Sequence, residues 1–223
     1  MEITNLEKLN EKKKKFLAKV IDANIKKKIK KVSPEEADSL GKKLYDLISS
    51  RGYNDNVEKA IDLVIRGANV NWKNEKEDTA LLRCCRTGYP NTVALLIAAG
   101  VDVNLTNNYQ TTPVMSAARH NLIDILKMLV YSGADINRSC QDGDTALISA
   151  YRHNAKECIN FLISNQANLT AENVNSETIF TYTDDIRAVE NIEENKEKDY
   201  THEDAMNIIE EAQKKLEKIK GND

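Results

Sequence analysis

Glycine is scarce in this chain, eight residues in 223, and no two glycines stand close enough to build a loop that cradles a phosphate. Long apolar runs are missing as well. The longest, Val93 to Val101, contains Gly100 and falls well short of the roughly 20 residues of a membrane span. The start, Met1-Glu2-Ile3-Thr4-Asn5, leads straight into lysine-rich sequence and offers no apolar core for a signal peptide. The four cysteines are therefore expected as free thiols in the cytoplasm or another reducing compartment, not as a disulfide framework. Histidine is limited to three residues. His120 and His153 are 33 apart and His202 is remote from both, so no Ser/His/Asp or Cys/His set is visible. No catalytic residue, no metal site and no cofactor is expected, and the chain reads as a non-enzyme.

What is present is periodic. Thr79, Thr112, Thr145 and Thr178 stand 33 residues apart, and the same step carries Gly67, Gly100 and Gly133, then Asn71, Asn104 and Asn137, then Leu63, Leu96, Leu129 and Leu162. A period of that length marks stacked supersecondary units. Each column has a physical reason. The glycine closes a helix by entering the left-handed region without a Cβ penalty. The threonine hydroxyl caps the next helix, an interaction worth about 1 kcal/mol, and Pro113 follows Thr112 in the first turn, where a missing N–H does no harm. The polar stretches between them, such as Gly100 to Thr112, read as hairpin-like loops. Outer helices are expected near 89–99, 122–132 and 155–165, and shorter inner helices ending at Gly88, Asn121 and Asn154.

At Thr112-Pro113-Val114-Met115, Ala117-Ala118 and Gly133-Ala134-Asp135-Ile136-Asn137 the chain resembles the ankyrin-repeat family. The histidine of the family pattern is replaced by Leu82, Met115 and Ile148, and Cys84 and Cys85 occupy the columns of Ala117 and Ala118 as packing thiols. The resemblance implies an all-α ankyrin-repeat solenoid of about five units, the first and last diverged, with helical extensions at both ends. It also implies a protein-binding module, in the manner of a scaffold.

The expected organisation is a basic amphipathic helix over 1–33, then an ankyrin domain over 34–223: a diverged repeat at 34–67, regular repeats at 68–177, and a diverged unit at 178–223 with an insertion of about 13 residues and a capping helix. Ser33-Pro34-Glu35-Glu36 starts the first helix pair, and Asn54 or Asn56 is expected to open its second helix. Gly52 should end the first. Gln166 stands where the period calls for glycine, so the third regular repeat is expected to close its outer helix less favourably. Charge is polarised. Residues 1–33 carry eleven lysines against four carboxylates, and residues 172–223 carry fifteen acidic against seven basic residues.

The partner-binding candidates come from repeat columns. Arg86, Arg119 and Arg152, followed in sequence by Thr87, His120 and His153, end the inner helices, a position that lines the concave groove in the family. Lys76, Asp78, Tyr109, Thr111, Gln141, Asp142 and Asp144 belong to the loop tips beside them. One reading pairs the arginines with acids such as Asp78 and Asp144. The other makes them a positive strip that clamps an acidic segment of another protein, with Tyr109 as aromatic anchor. A separate alternative makes the chain a targeting or tethering protein whose lysine-faced N-terminal helix binds an anionic membrane or nucleic acid, although that segment has no arginine. A monomer is expected, with salt-sensitive head-to-tail self-association as a third reading.

Overall fold

The structure, a computed structural model, describes residues 29–55 and 57–179. The lysine-rich segment 1–28, the acidic insertion and the C-terminal capping helix lie outside the described residues. Eight helices follow one another: α1 Pro34–Ser49, α2 Glu58–Ile65, α3 Ala80–Thr87, α4 Pro90–Ala98, α5 Pro113–Arg119, α6 Ile123–Tyr131, α7 Ala146–Arg152 and α8 Lys156–Ser164. Among the described residues the only strand-like pairing is an isolated bridge between Lys73 and Thr79. The architecture is an all-α solenoid. Inner helices α1, α3, α5 and α7 stack in order, and outer helices α4, α6 and α8 stack in order behind them.

The threonine columns do what their chemistry requires. Thr79, Thr112 and Thr145 accept from the N–H groups of Leu82, Met115 and Ile148 at 3.1, 3.2 and 3.3 Å, which starts each inner helix in the same way. The side chains of Leu82, Met115 and Ile148 are buried, so the column that departs from the family pattern serves the core. Cys84 and Cys85 are fully buried beside them, and burial raises both thiols well above the ordinary range. Leu95, Leu96, Leu126, Leu129 and Leu147 fill the space between helices, each contributing about 2 kcal/mol by leaving water.

Helix ends are set by left-handed residues. Gly100 and Gly133 take φ +86° and +93°, and Gln166 takes +65° at the same point of the next unit. Gln166 still makes the two closing bonds, its N–H to Ile163 O and that of Ala167 to Leu162 O, each 3.0 Å, the pattern found at Gly133 and Ala134. Asn121 and Asn154 are left-handed after the inner helices, as their column requires, and Asp55 extends that column with φ +62°.

Two expectations about the first unit are corrected. α1 stops at Ser49 because Ser50 turns extended and both its N–H and its hydroxyl bond Leu47 O, so Gly52, which is not left-handed, does not end it. The second helix is preceded by Val57, which gives no side-chain cap, so Asn54 does not open it, and Asn56 lies outside the described residues. Asp55 caps another helix instead. Its carboxylate accepts from the main-chain N–H groups of Asn91 and Thr92 at 2.9 Å each and from the Thr92 hydroxyl at 2.6 Å, fixing the start of α4 in the next repeat. Tyr53 donates to the Thr92 hydroxyl oxygen at 2.5 Å, and burial pushes its phenol up to about 12.

Candidate functional site

Each loop between an outer helix and the next threonine is a short hairpin, and all but the Cys140 loop are held from within by one asparagine. The side-chain oxygen of Asn74 accepts from Lys76 and Asp78 N–H at 2.9 Å, that of Asn107 from Tyr109 and Thr111 N–H at 3.0 Å, and that of Asn173 from Asn175 and Glu177 N–H at 2.9 and 3.0 Å. Successive tips are then joined through the main chain. Asn108 N–H donates to Lys76 O, Gln141 N–H to Tyr109 O and Val174 N–H to Asp142 O, at 3.1, 3.1 and 2.9 Å. Gly143 is pressed so close to the next tip that a Cβ there would lie 2.8 Å from Asn173 Cα. The tips thus form one continuous edge.

That edge and the ends of α3, α5 and α7 enclose a groove of about 550 Å³. Its lining includes Arg86, Arg119, Arg152, His120, His153, Tyr109, Lys76, Asp78, Thr111, Asp142 and Asp144, so the columns do meet in space. Gln141 does not line it, because its role there is the main-chain bond to Tyr109. The groove also takes in Met115, Ser116 and Cys140, which repeat columns alone did not single out. Tyr109 is 66% exposed.

The arginines are not equivalent. Arg86 grips the Asp78 carboxylate with both terminal nitrogens, at 3.1 and 2.7 Å, and Arg152 grips Asp144 in the same bidentate way and reaches Glu177 at 3.0 Å. Both aspartates are buried and take a further bond from the asparagine of the next loop: Asn107 to Asp78 at 3.2 Å, Asn173 to Asp144 at 2.9 Å. Arg119 is exposed, and among the described residues its guanidinium has no ion pair or hydrogen bond. The histidines are pinned. His120 and His153 each place Nδ1 against the carbonyl four residues back, Ser116 O at 2.8 Å and Ser149 O at 2.9 Å, which leaves Nε2 as the free nitrogen. Thr87 uses its hydroxyl on Arg83 O at 2.9 Å in the same column.

Sequence columns could have revealed the bridging asparagines, since Asn74, Asn107 and Asn173 keep the repeat period with Cys140 interrupting it. Asp55 carried no such signal, because the first amide it caps stands 36 residues on, across a repeat boundary.

Stacked helix pairs, threonine caps and a tip-lined groove define a repeat protein. A family model described as three copies of ankyrin repeats matches residues 47–140, and one for a single ankyrin repeat matches 142–174. The chain belongs to the ankyrin-repeat family, whose repeats are general protein–protein interaction modules and typically non-enzymatic. No curated protein matches it. Among the described residues no helix is long and apolar enough to cross a membrane.

Proposed function

We propose that this chain is a non-enzymatic binding module that holds a segment of another protein along the loop-tip groove, with an acidic residue of that segment on the arginine column. The observation that carries the reading is the convergence of inner-helix ends and tip side chains on one groove with Tyr109 standing exposed within it. An exposed ring of that kind is the residue type that anchors interfaces, because it offers large contact area at small entropic cost. The groove is not a uniform positive strip. Asp78 and Asp144 neutralise Arg86 and Arg152, so selectivity comes from alternating charge. Lys76, Tyr109 and Asp142 share a tip column, which gives the groove a direction: a bound segment should be acidic towards Lys76 and basic towards Asp142.

Photo-cross-linking from position 109, compared with Asn160 on the exposed side of α8, tests the placement. Adducts from 109 that disappear in Arg119→Ala support it. Adducts from 160 alone would move binding to the outer helices.

A further inference from the structure

The flanking repeats show what the central one lacks. In each of them an aspartate eight residues before the arginine fills the fork of the guanidinium, and an asparagine from the next loop completes its bonding. In the central repeat the residue eight before Arg119 is Thr111, and the next loop places Cys140 where Asn107 and Asn173 stand elsewhere. Carboxylate and amide are replaced together. The frame is otherwise retained: Asn107 holds the Thr111 loop through the same pair of main-chain bonds, and Gln110 repeats the left-handed turn of Glu77, φ +58° against +56°. Thr111 is shorter than aspartate and carries no charge, so the side of Arg119 that its neighbours close internally is open to the groove.

We propose that the central repeat receives a partner's carboxylate on Arg119, at the place that Asp78 and Asp144 fill from within the chain in the repeats on either side. The proposal rests on the groove being the binding surface and specifies what docks there. A guanidinium offers parallel N–H donors that match one carboxylate, and the two flanking pairs display that match. A phosphate fits less well. It would bring about twice the charge to one free guanidinium in a groove that also holds Asp78, Asp142 and Asp144. A side-chain carboxylate of aspartate or glutamate meets one positive charge with one negative charge.

The direct test uses the full-length chain with ¹⁵N-labelled arginine and three probes: acetyl-Phe-Asp-Phe-amide, its asparagine counterpart, and its phosphoserine counterpart. The Arg119 Nε–Hε signal should shift saturably with the aspartate peptide, with affinity about tenfold or more above the asparagine peptide, as for a truncated charged anchor. Thr111→Asp should move the Arg119 signal towards those of Arg86 and Arg152 before any peptide is added, and should abolish the response while the melting temperature stays level or rises. Arg119→Gln, which leaves the loop untouched, should weaken the aspartate peptide about tenfold or more by calorimetry, to the level of the asparagine peptide. Equal shifts with aspartate and asparagine peptides, stronger binding of phosphoserine, or an unchanged response in a folded Thr111→Asp protein would each overturn the carboxylate subsite. Tyr109 ring shifts without an Arg119 shift remove the subsite and leave the groove standing. Silence at both Tyr109 and Arg119 removes the two together.

Discussion

The repeats around Arg86 and Arg152 and the repeat around Arg119 are built on one backbone plan, with the same threonine cap, the same inner-helix end and the same hairpin turn, yet their charges are handled in opposite ways. In the outer two, the arginine is spent on a buried aspartate and helps tie a loop to its own helix. In the central one it remains exposed. A repeat column thus records where a side chain stands, while a second column, eight residues earlier, decides whether it is structural or available.

Stability measurements should break the three arginines into two classes. Arg152→Ala leaves Asp144 buried without its main cation and should cost about 2 kcal/mol in urea unfolding, less than for a wholly buried pair because the guanidinium is partly solvated. Asp55→Ala removes four bonds from the start of α4 and should cost about 1–2 kcal/mol, against no comparable loss from changes at exposed tip residues. Partner affinity should fall about tenfold with Arg119→Ala, which corresponds to about 1.4 kcal/mol, while its stability stays within about 0.5 kcal/mol of wild type. A loss of stability matching that of Arg152→Ala would erase the contrast. Gln166→Gly should add about 0.5 kcal/mol by relieving a left-handed glutamine, read as slower amide exchange at Ala167. Cys140 should be the first thiol alkylated in the native state, since Cys84, Cys85 and Cys158 are buried with raised pKa, and a groove-bound peptide should slow it.

Alkaline titration sharpens a different boundary. The Tyr53 phenol ordinarily titrates at 10.0 and is pushed up to about 12 when folded. The folded chain therefore holds a proton that the unfolded chain has lost between those values, and the stability linked to Tyr53 is complete below pH 10 and declines as pH rises through that window. Tyr53→Phe should flatten the decline in a pH series of urea melts.

Much of the fold was legible because its determinants are local. Threonine caps, Gly100 and Gly133 answer to backbone geometry within a few residues, so their period fixes the helices almost to the residue. The first unit was harder to read, because Ser50 closes α1 through a bond that many sequences could make and Asp55 works on a helix of the following repeat. At the groove, the sequence left residues 86, 119 and 152 between two readings, pairing with Asp78 and Asp144 or one positive strip, and pairing holds at Arg86 and Arg152 while Arg119 stands apart. The differences at 78, 111 and 144 were present in the sequence, but their meaning depends on a fork closing over eight intervening residues, which only the folded loop makes evident.

The main-chain ladder that links Lys76 to Asn108, Tyr109 to Gln141 and Asp142 to Val174 separates the vocabulary of this surface from its grammar. Because those links use peptide groups alone, the letters displayed at 76, 109 and 142 can be exchanged without respelling the frame. A chain that reads one companion can be retrained, tip by tip, to read another.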